Sequence, residues 1–407
     1  MAPAAAPVTE GRVTRLMRAD VVVIGGGPAA AGAASSLAAS GLTVALVHKF
    51  ESSPTRLGES LPPGVASHLT AMGVWRAAPH ERCGAVRVSW GRDGDLREAD
   101  LNLHHHGSGL RLDRYAFDAD GLNACAAHGV DLIEAIGTVH VDCRGSGAAM
   151  QCRTARGSVD VHTSFAIDCT GRVSAVARRH GVRRMHADRL VAVVTTLRHI
   201  GLSQAYEDDS SLTVEADRDG WWYSCRIPRG QRVLAYFTDR DLMADELRQS
   251  SALMQAMKGT TLVTRECDAQ HWEPLGAATS IHAANSSRLS AATGLRWLAA
   301  GDAAMAFDPL SSIGILAAVS GGQRAADAVV RAFDGDDSAF EEYQHFNDEV
   351  WQHYTRELRG QYGYETRWAQ QPFWHRRQRP AVGTSAGRGM ALGIEADPIA
   401  KPTNDRS

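Results

Sequence analysis

Apolar positions fall along the chain in blocks, and the period changes from block to block. Asp20-Val-Val-Val-Ile24 is an unbroken apolar run that ends in three glycines, which predicts a buried strand. Pro28 to Leu42 is Ala-rich and has Gly41 at its close, predicting a helix with a C-terminal glycine. Leu42 to Val47 is a second buried strand. Strand, turn, helix and strand of this size form a βαβ unit, with parallel strands and a right-handed crossover. Leu112 to Asp131 has helical spacing and leads into a strand, Val130 to Ala135. The period then drops to two. Thr138 to Asp142, Met150 to Thr154 and Val159 to Ile167 are β-rich runs parted by Gly turns, predicting an antiparallel meander. Leu190 to Leu197, Leu212 to Ala216, Trp221 to Ile227 and Val233 to Thr238 continue in this style, and Pro228-Arg-Gly230 turns the last two into a hairpin. Residues 242–257 have a helical pattern, Arg296 to Ala300 is an apolar strand, Gly314 to Arg331 is a small-residue helix, and Ser338 to Gln361 is amphipathic.

The order of these elements predicts an α/β architecture of two interleaved domains. A nucleotide-binding domain spans 19–80, 110–188 and 286–335, and an antiparallel-sheet substrate domain spans 81–109 and 189–285. A helical segment, 336–378, follows. The ends, 1–18 and 379–407, are Ala/Pro-rich or Gly- and charge-rich and are expected to fray.

Composition narrows the class. A net charge of −3 argues against nucleic-acid binding by general attraction. No run approaches 18 uncharged apolar residues, so no spanning helix and no membrane role are expected, and the N-terminal segment lacks a secretory apolar core. Seven Cys without a Cys-x-x-Cys pair point to a reducing compartment, the cytoplasm by default. Only three of the 43 basic residues are Lys (Lys49, Lys258, Lys401), which restricts any chemistry that needs an amine.

Gly25-Gly-Gly27-Pro-Ala-Ala30 fits G-x-G-x-x-G/A between a strand and a helix. Gly25 permits the turn, Gly27 lets backbone approach a pyrophosphate, and Ala30 lets helix and strand pack closely. Such a site takes FAD or NAD(P). The acidic residue expected about 20 positions on is missing. His48 stands there, then Lys49, with Glu51 beyond. A His makes one ribose contact where a carboxylate makes two, so the adenosine grip should be weak and FAD should dissociate during purification.

Two later segments favour FAD. Gly301-Asp302-Ala-Ala-Met-Ala-Phe-Asp308-Pro309-Leu-Ser-Ser312-Ile-Gly314 lies between a strand and a helix, and Ile167-Asp-Cys-Thr-Gly171-Arg-Val-Ser closes the meander. Together with Leu112-Asp-Arg114-Tyr-Ala-Phe-Asp118 they resemble the motifs of glutathione-reductase-like FAD oxygenases. That resemblance implies that Arg114, Gly171 and Gly301 approach the cofactor and that Asp302 holds its ribityl chain. It also implies that Pro309 and Gly314 aim a helix N-terminus at the flavin.

Gly58-Glu59-Ser60-Leu-Pro-Pro63 resembles a segment of the flavin-dependent halogenases. Halogenases add a lysine some twenty residues on, and Trp-x-Trp-x-Ile-Pro. Here Cys83 to Arg92 holds Arg87 but no Lys, and Tyr223 and Cys225 replace the two Trp ahead of Ile227-Pro228. A guanidinium does not replace the amine.

The chain is more similar to the flavoprotein monooxygenases that mature tryptophylquinone enzymes. The segments carrying this are Gly58-Glu-Ser-Leu-Pro-Pro63, Gly220-Trp-Trp-Tyr-Ser224, Asp308-Pro-Leu-Ser-Ser312-x-Gly-Ile315, Tyr364-Glu-Thr-Arg367-Trp368 and Pro372-Phe-Trp374. The resemblance implies NAD(P)H reduction of FAD, O2 addition at flavin C4a as a hydroperoxide, and hydroxylation of an electron-rich ring. That ring would be a Trp side chain of a small peptide or protein precursor handled by a maturation machinery. Glu59 and Ser312 are the candidate catalytic residues, Glu59 for proton transfer or an indole N–H contact. Trp222 and Tyr223 are expected to line the substrate site. Halogenation and a non-catalytic FAD-binding role in maturation stay open as alternatives. His104-His-His106 is read as a solvated loop and not a metal site, and Cys169 and Cys225 as small core residues.

Overall fold

The computed structural model describes residues 14–49, 58–74, 80–92, 94, 96–143, 145, 147–200 and 211–378. The expectations for 1–13, 379–407 and Glu51 fall outside the described residues, whereas Thr14–Arg18, expected to fray, is a strand paired in parallel with Gly157–Thr163.

A six-stranded sheet forms the centre of one lobe, in the order Thr293–Gly294, Trp297–Ala299, Phe165–Asp168, Val21–Ile24, Val44–His48, Asp131–Glu134. All its pairings are parallel except that between Thr293–Gly294 and Trp297–Ala299. Val21–Ile24 and Phe165–Asp168 are buried throughout, as strands covered on both faces must be. Helix Pro28–Ala39 crosses helix Gly314–Phe333 on one face. A Cβ at Gly32 would lie 2.5 Å from the Val319 carbonyl oxygen, and one at Gly322 would lie 2.2 Å from that of Ala29. The helices therefore touch backbone to backbone where they cross, through Gly32 and Gly322.

Two expected elements are divided differently. Val159 to Ile167 breaks at Ser164: Gly157–Thr163 closes the antiparallel meander with Ile136–Asp142 and Ala148–Thr154, while Phe165–Asp168 enters the parallel sheet. Burial alternates in the first piece and is complete in the second, so one apolar run serves a one-sided and a two-sided sheet. Residues 242–257 form a 3-10 turn, Asp245–Arg248, and a short helix, Ser250–Ala256. The break falls at Gln249, whose extended backbone bridges to Ala278.

The second lobe is an eight-stranded, mostly antiparallel sheet. Its order is Trp272–Pro274, Leu190–His199, Gln231–Asp239, Gly220–Ile227, Ser211–Asp217, Ala85–Ser89, Leu96–Asp100, with Ser280–Ala283 also on Leu190–His199. One face, with Val193, Trp222 and Leu234, packs on Leu253, Met254 and Met257. The other face turns toward the first lobe and meets Tyr362, Phe373 and Trp374 from the C-terminal helices Ala339–Tyr364 and Pro372–Gln378. No helix among the described residues is long and apolar enough to cross a membrane.

Candidate functional site

A cavity of about 1000 Å³ lies between the lobes. Its floor is backbone. Gly25 has φ +138°, its N–H donates to the Val47 carbonyl at 2.8 Å, and a Cβ there would sit 2.1 Å from the Cys169 carbonyl oxygen. Gly27 faces open space. It precedes Pro28–Ala39, whose first-turn amides no side chain caps, so they remain free for an anion. Ala30 is fully buried away from the cavity, the small packing residue between helix and strand.

Gly171, with φ +67°, is presented by a turn that Asp168 holds. The fully buried Asp168 carboxylate accepts from Thr170 Oγ1 at 2.6 Å and from the Val176 and Ala177 amides at 2.8 and 3.1 Å. Gly301, with φ +59°, lets Asp302 follow the last buried strand into the cavity. Asp302 lies deep in the molecule yet its side chain is 42% accessible, because the surface it shows is cavity wall. Enclosure pushes its pKa up, and Arg172, Arg184 and Arg114 oppose that. Arg172 Nε is 3.7 Å from the Asp302 carboxylate, and Arg184 donates to the carbonyls of Asp302 and Ala303 at 2.7 Å. Arg172 and Arg114 line the cavity beside Asp302, Arg114 shared with Asp118 at 3.3 Å, and they are the cations a diphosphate would meet there.

At the other end, Asp308 accepts from the Leu310 amide at 2.9 Å and fixes the turn Pro309–Ser311. Ser312 adopts φ +53° and helix Gly314–Phe333 begins, again without a side-chain cap. Its free first amides border the cavity through Gly314 and Ile315. Two uncapped helix starts, a carboxylate between them and a floor that a Cβ would fill together fit a long dinucleotide. Gly25, Gly27, Arg114, Gly171, Gly301, Asp302, Pro309 and Gly314 would hold it. His48 lines the adenosine end, beside Gly26. Desolvation lowers its pKa despite Glu134, keeping the imidazole neutral.

The opposite wall is the sheet: Val86, Leu212, Val214, Trp221, Ala235 and Phe237, with Tyr223 as the polar group. Trp221 stacks on Phe237 at 3.8 Å, and its Nε1 donates to Tyr362 Oη at 3.1 Å. Glu59, 4% exposed, reaches this wall from the Gly58–Leu61 segment and accepts from the Gly58 amide at 2.8 Å. The Tyr223 hydroxyl hydrogen-bonds Glu59 and Cys225, and burial together with these neighbours raises its pKa far above the ordinary phenol value. The phenol is therefore a permanent donor. Glu59, Arg114 and Tyr115 also line a second cavity of about 570 Å³.

Other residues lie elsewhere. Trp222 is on the opposite face, where its Nε1 donates to Asp217 Oδ2 at 3.0 Å and its ring lies 4.5 Å from that of Tyr236. Adjacent strand residues point to opposite faces, so Trp222 and Tyr223 do not share a site; Trp221 is the cavity residue. Arg87 also points away, to Glu98, Ser211 and Glu266. Ser312 lines the cavity on an exposed turn. The rings of His104 and His105 stack, with that of His106 tilted against them, and no metal-binding group is found among the described residues. Cys169 and Cys225 are buried, free thiols with pKa values far above the usual range. Strand alternation alone could have separated Trp222 from Tyr223, but not said which of them faces the cavity. Nothing in the sequence marked Arg172 and Arg184 as the companions of Asp302.

No family model matches the chain. It is 28% identical over 367 residues to LodB of Marinomonas mediterranea, named as an FAD-dependent oxidoreductase, covering 88% of this chain and 96% of that one. It is 24% identical over 325 residues to the 1H-pyrrole-2-carbonyl-(peptidyl-carrier protein) brominase of Pseudoalteromonas luteoviolacea, covering 78% and 79%. Among solved structures, the flavin-dependent halogenase CmlS superposes with a TM-score of 0.76 at 23% identity, covering 90% of this chain and 68% of that one. QhpG, a peptidyl tryptophan dihydroxylase of tryptophylquinone biogenesis, gives 0.71 at 23%, covering 91% and 82%. The chain has the Rossmann-type fold of the FAD-dependent halogenases and monooxygenases, and its relatives are flavin-dependent oxidoreductases.

Proposed function

We propose that the chain is an FAD-dependent monooxygenase that hydroxylates an electron-rich aromatic ring, a tryptophan side chain carried on a peptide or protein precursor during quinone-cofactor biogenesis. The observation that carries this reading is the sheet wall: apolar and aromatic, with a Glu59–Tyr223 pair and no lysine on it among the described residues. Halogenation needs an amine to steer hypohalous acid. The cavity's Lys49 follows His48 at the far, adenosine end.

FAD reduced by NAD(P)H would supply the electrons that activate O2. The protein's own share is electrostatic and steric. The amides that open helix Gly314–Phe333 favour negative charge beside them by about 0.3–1 kcal/mol. Trp221, Phe237 and Val214 keep water from the ring. Glu59 Oε1 or Oε2 accepts an indole N–H and Tyr223 Oη donates, so the pair orients the ring and holds a proton beside it. Indole needs no deprotonation, since its nitrogen supplies the electron density. The buried, free state of all seven cysteines suits a reducing, cytoplasmic setting.

The test is a reaction of FAD-loaded protein with NAD(P)H, O2 and a Trp-containing peptide, read by mass spectrometry. Addition of one or two oxygen atoms is expected, with Glu59→Gln lowering the yield while FAD stays bound. A brominated product in bromide buffer would move the assignment to halogenase. NADH oxidation uncoupled from every aromatic would leave a non-catalytic maturation partner.

A further inference from the structure

The two cavities lie on one sheet face. Val214, Tyr223, Ala235, Val194 and Ser280 form a single register row across adjacent strands. The first three line the large cavity and the last two line the small one. The next row repeats this, from Leu212 on the large side to Val233 and Thr196 on the small side. What divides the face is Glu59 with Arg114 and Tyr115, which border both chambers.

We propose that the small cavity is a binding site for the polypeptide backbone that carries the target ring, the ring alone passing Glu59 into the large chamber. This rests on the hydroxylase reading above and gives that reaction its substrate route. The lining fits an amide chain. Gln231 lines it with a neutral amide, and Thr279 and Ser280, whose hydroxyls donate to the Leu247 and Val194 carbonyls at 2.8 and 3.4 Å, add neutral oxygens that can still accept, beside Ile227, Pro228 and Leu275. The charged groups are already matched: Arg229 donates to Asp113 Oδ2 at 2.7 Å, and Arg114 pairs with Asp118 at 3.3 Å. A small carboxylate or phosphate would find no unmatched cation there, whereas peptide groups need none. The mouth is apolar and open, with Leu275 48% and Tyr115 41% exposed. Residues 275–279 form it because the chain leaves the sheet between Trp272–Pro274 and Ser280–Ala283, both of which pair with Leu190–His199.

Ala278 is exposed in that segment and lies outside the FAD floor, so Ala278→Trp fills the chamber without touching the cofactor. Fluorescence anisotropy of a labelled Trp-containing peptide on FAD-loaded protein should show at least tenfold weaker binding in A278W, with FAD retention unchanged. Gly276→Trp, in the same loop, gives the same reading should A278W melt early. Undiminished peptide affinity in a folded, FAD-loaded variant would overturn the proposal. So would a wild-type protein that ignores the peptide and binds an aromatic on a carrier protein's pantetheine arm. Weakened peptide binding with no oxygen incorporated by the wild type would sink the hydroxylase assignment and leave the binding site standing.

Discussion

The two walls of the large cavity are built in opposite ways. The floor is made by backbone: Gly25, Gly171 and Gly301 hold positive φ values, and the useful groups are amides and one carboxylate. The sheet wall is made by side chains on regular strands, with nothing unusual in its backbone, so it is Trp221, Tyr223 and Phe237 that define it. A backbone site dictates which residues are allowed and tolerates little else. A side-chain wall dictates only which positions face inward, and its chemistry is free to drift. Cofactor and substrate choice are therefore specified by different physics in one cavity.

The sharpest way to break this contrast is to add one carbon to the floor. Gly25→Ala would put a Cβ 2.1 Å from the Cys169 carbonyl at a φ that L residues rarely adopt. The turn must move, and FAD affinity should fall at least about 100-fold, which is about 2.7 kcal/mol. Titration followed by flavin fluorescence measures it. Wild-type affinity in G25A would mean that the floor is not set by backbone geometry.

The wall calls for a paired test. Trp221→Phe and Trp222→Phe each remove one indole hydrogen bond from a buried site, and each should cost roughly 2 kcal/mol of stability. Only W221F alters the cavity, so product formation should drop about tenfold in W221F while W222F keeps its turnover and its FAD. Equal turnover in the two variants would show that the inward face is not the substrate face.

The same contrast explains what was legible in the sequence. The three glycine motifs were readable because few residues can occupy such turns, and the βαβ unit followed from two apolar runs and an Ala-rich helix between them. Trp222 and Tyr223 are adjacent on one strand and face opposite ways, so the expectation that both line the site fails, and alternation by itself does not say which face turns inward until the sheet is packed. Val159 to Ile167 read as one strand because a run of β-formers carries no mark of where a one-sided sheet ends and a two-sided one begins. The partners of Asp302 were invisible for another reason: Arg172 and Arg184 are ordinary surface residues by type, and only tertiary folding brings them under the carboxylate.

Asp308 joins the two walls, and it offers the smallest but most specific test. Its carboxylate accepts from the Leu310 amide on the floor side and from Tyr362 Oη at 2.8 Å, and Tyr362 in turn accepts from Trp221 on the wall. Burial, with Asp188 nearby, pushes its pKa up to about 7. The folded protein then binds a proton that the unfolded chain, at an ordinary aspartate value, has already released. Stability from this group is complete below about pH 4 and is lost as pH rises through 7. Between pH 6 and 8 the native site gives up about one proton, so the loss is about 1.4 kcal/mol. Asp308→Asn stays neutral and keeps an acceptor for Leu310, so its melting temperature should hold steady over that range while the wild type declines. Parallel curves for the two proteins would mean that the carboxylate at the seam is ionised throughout. The link between Trp221 and the flavin-side turn would then carry a fixed charge, and cofactor and substrate walls could not shift together with pH.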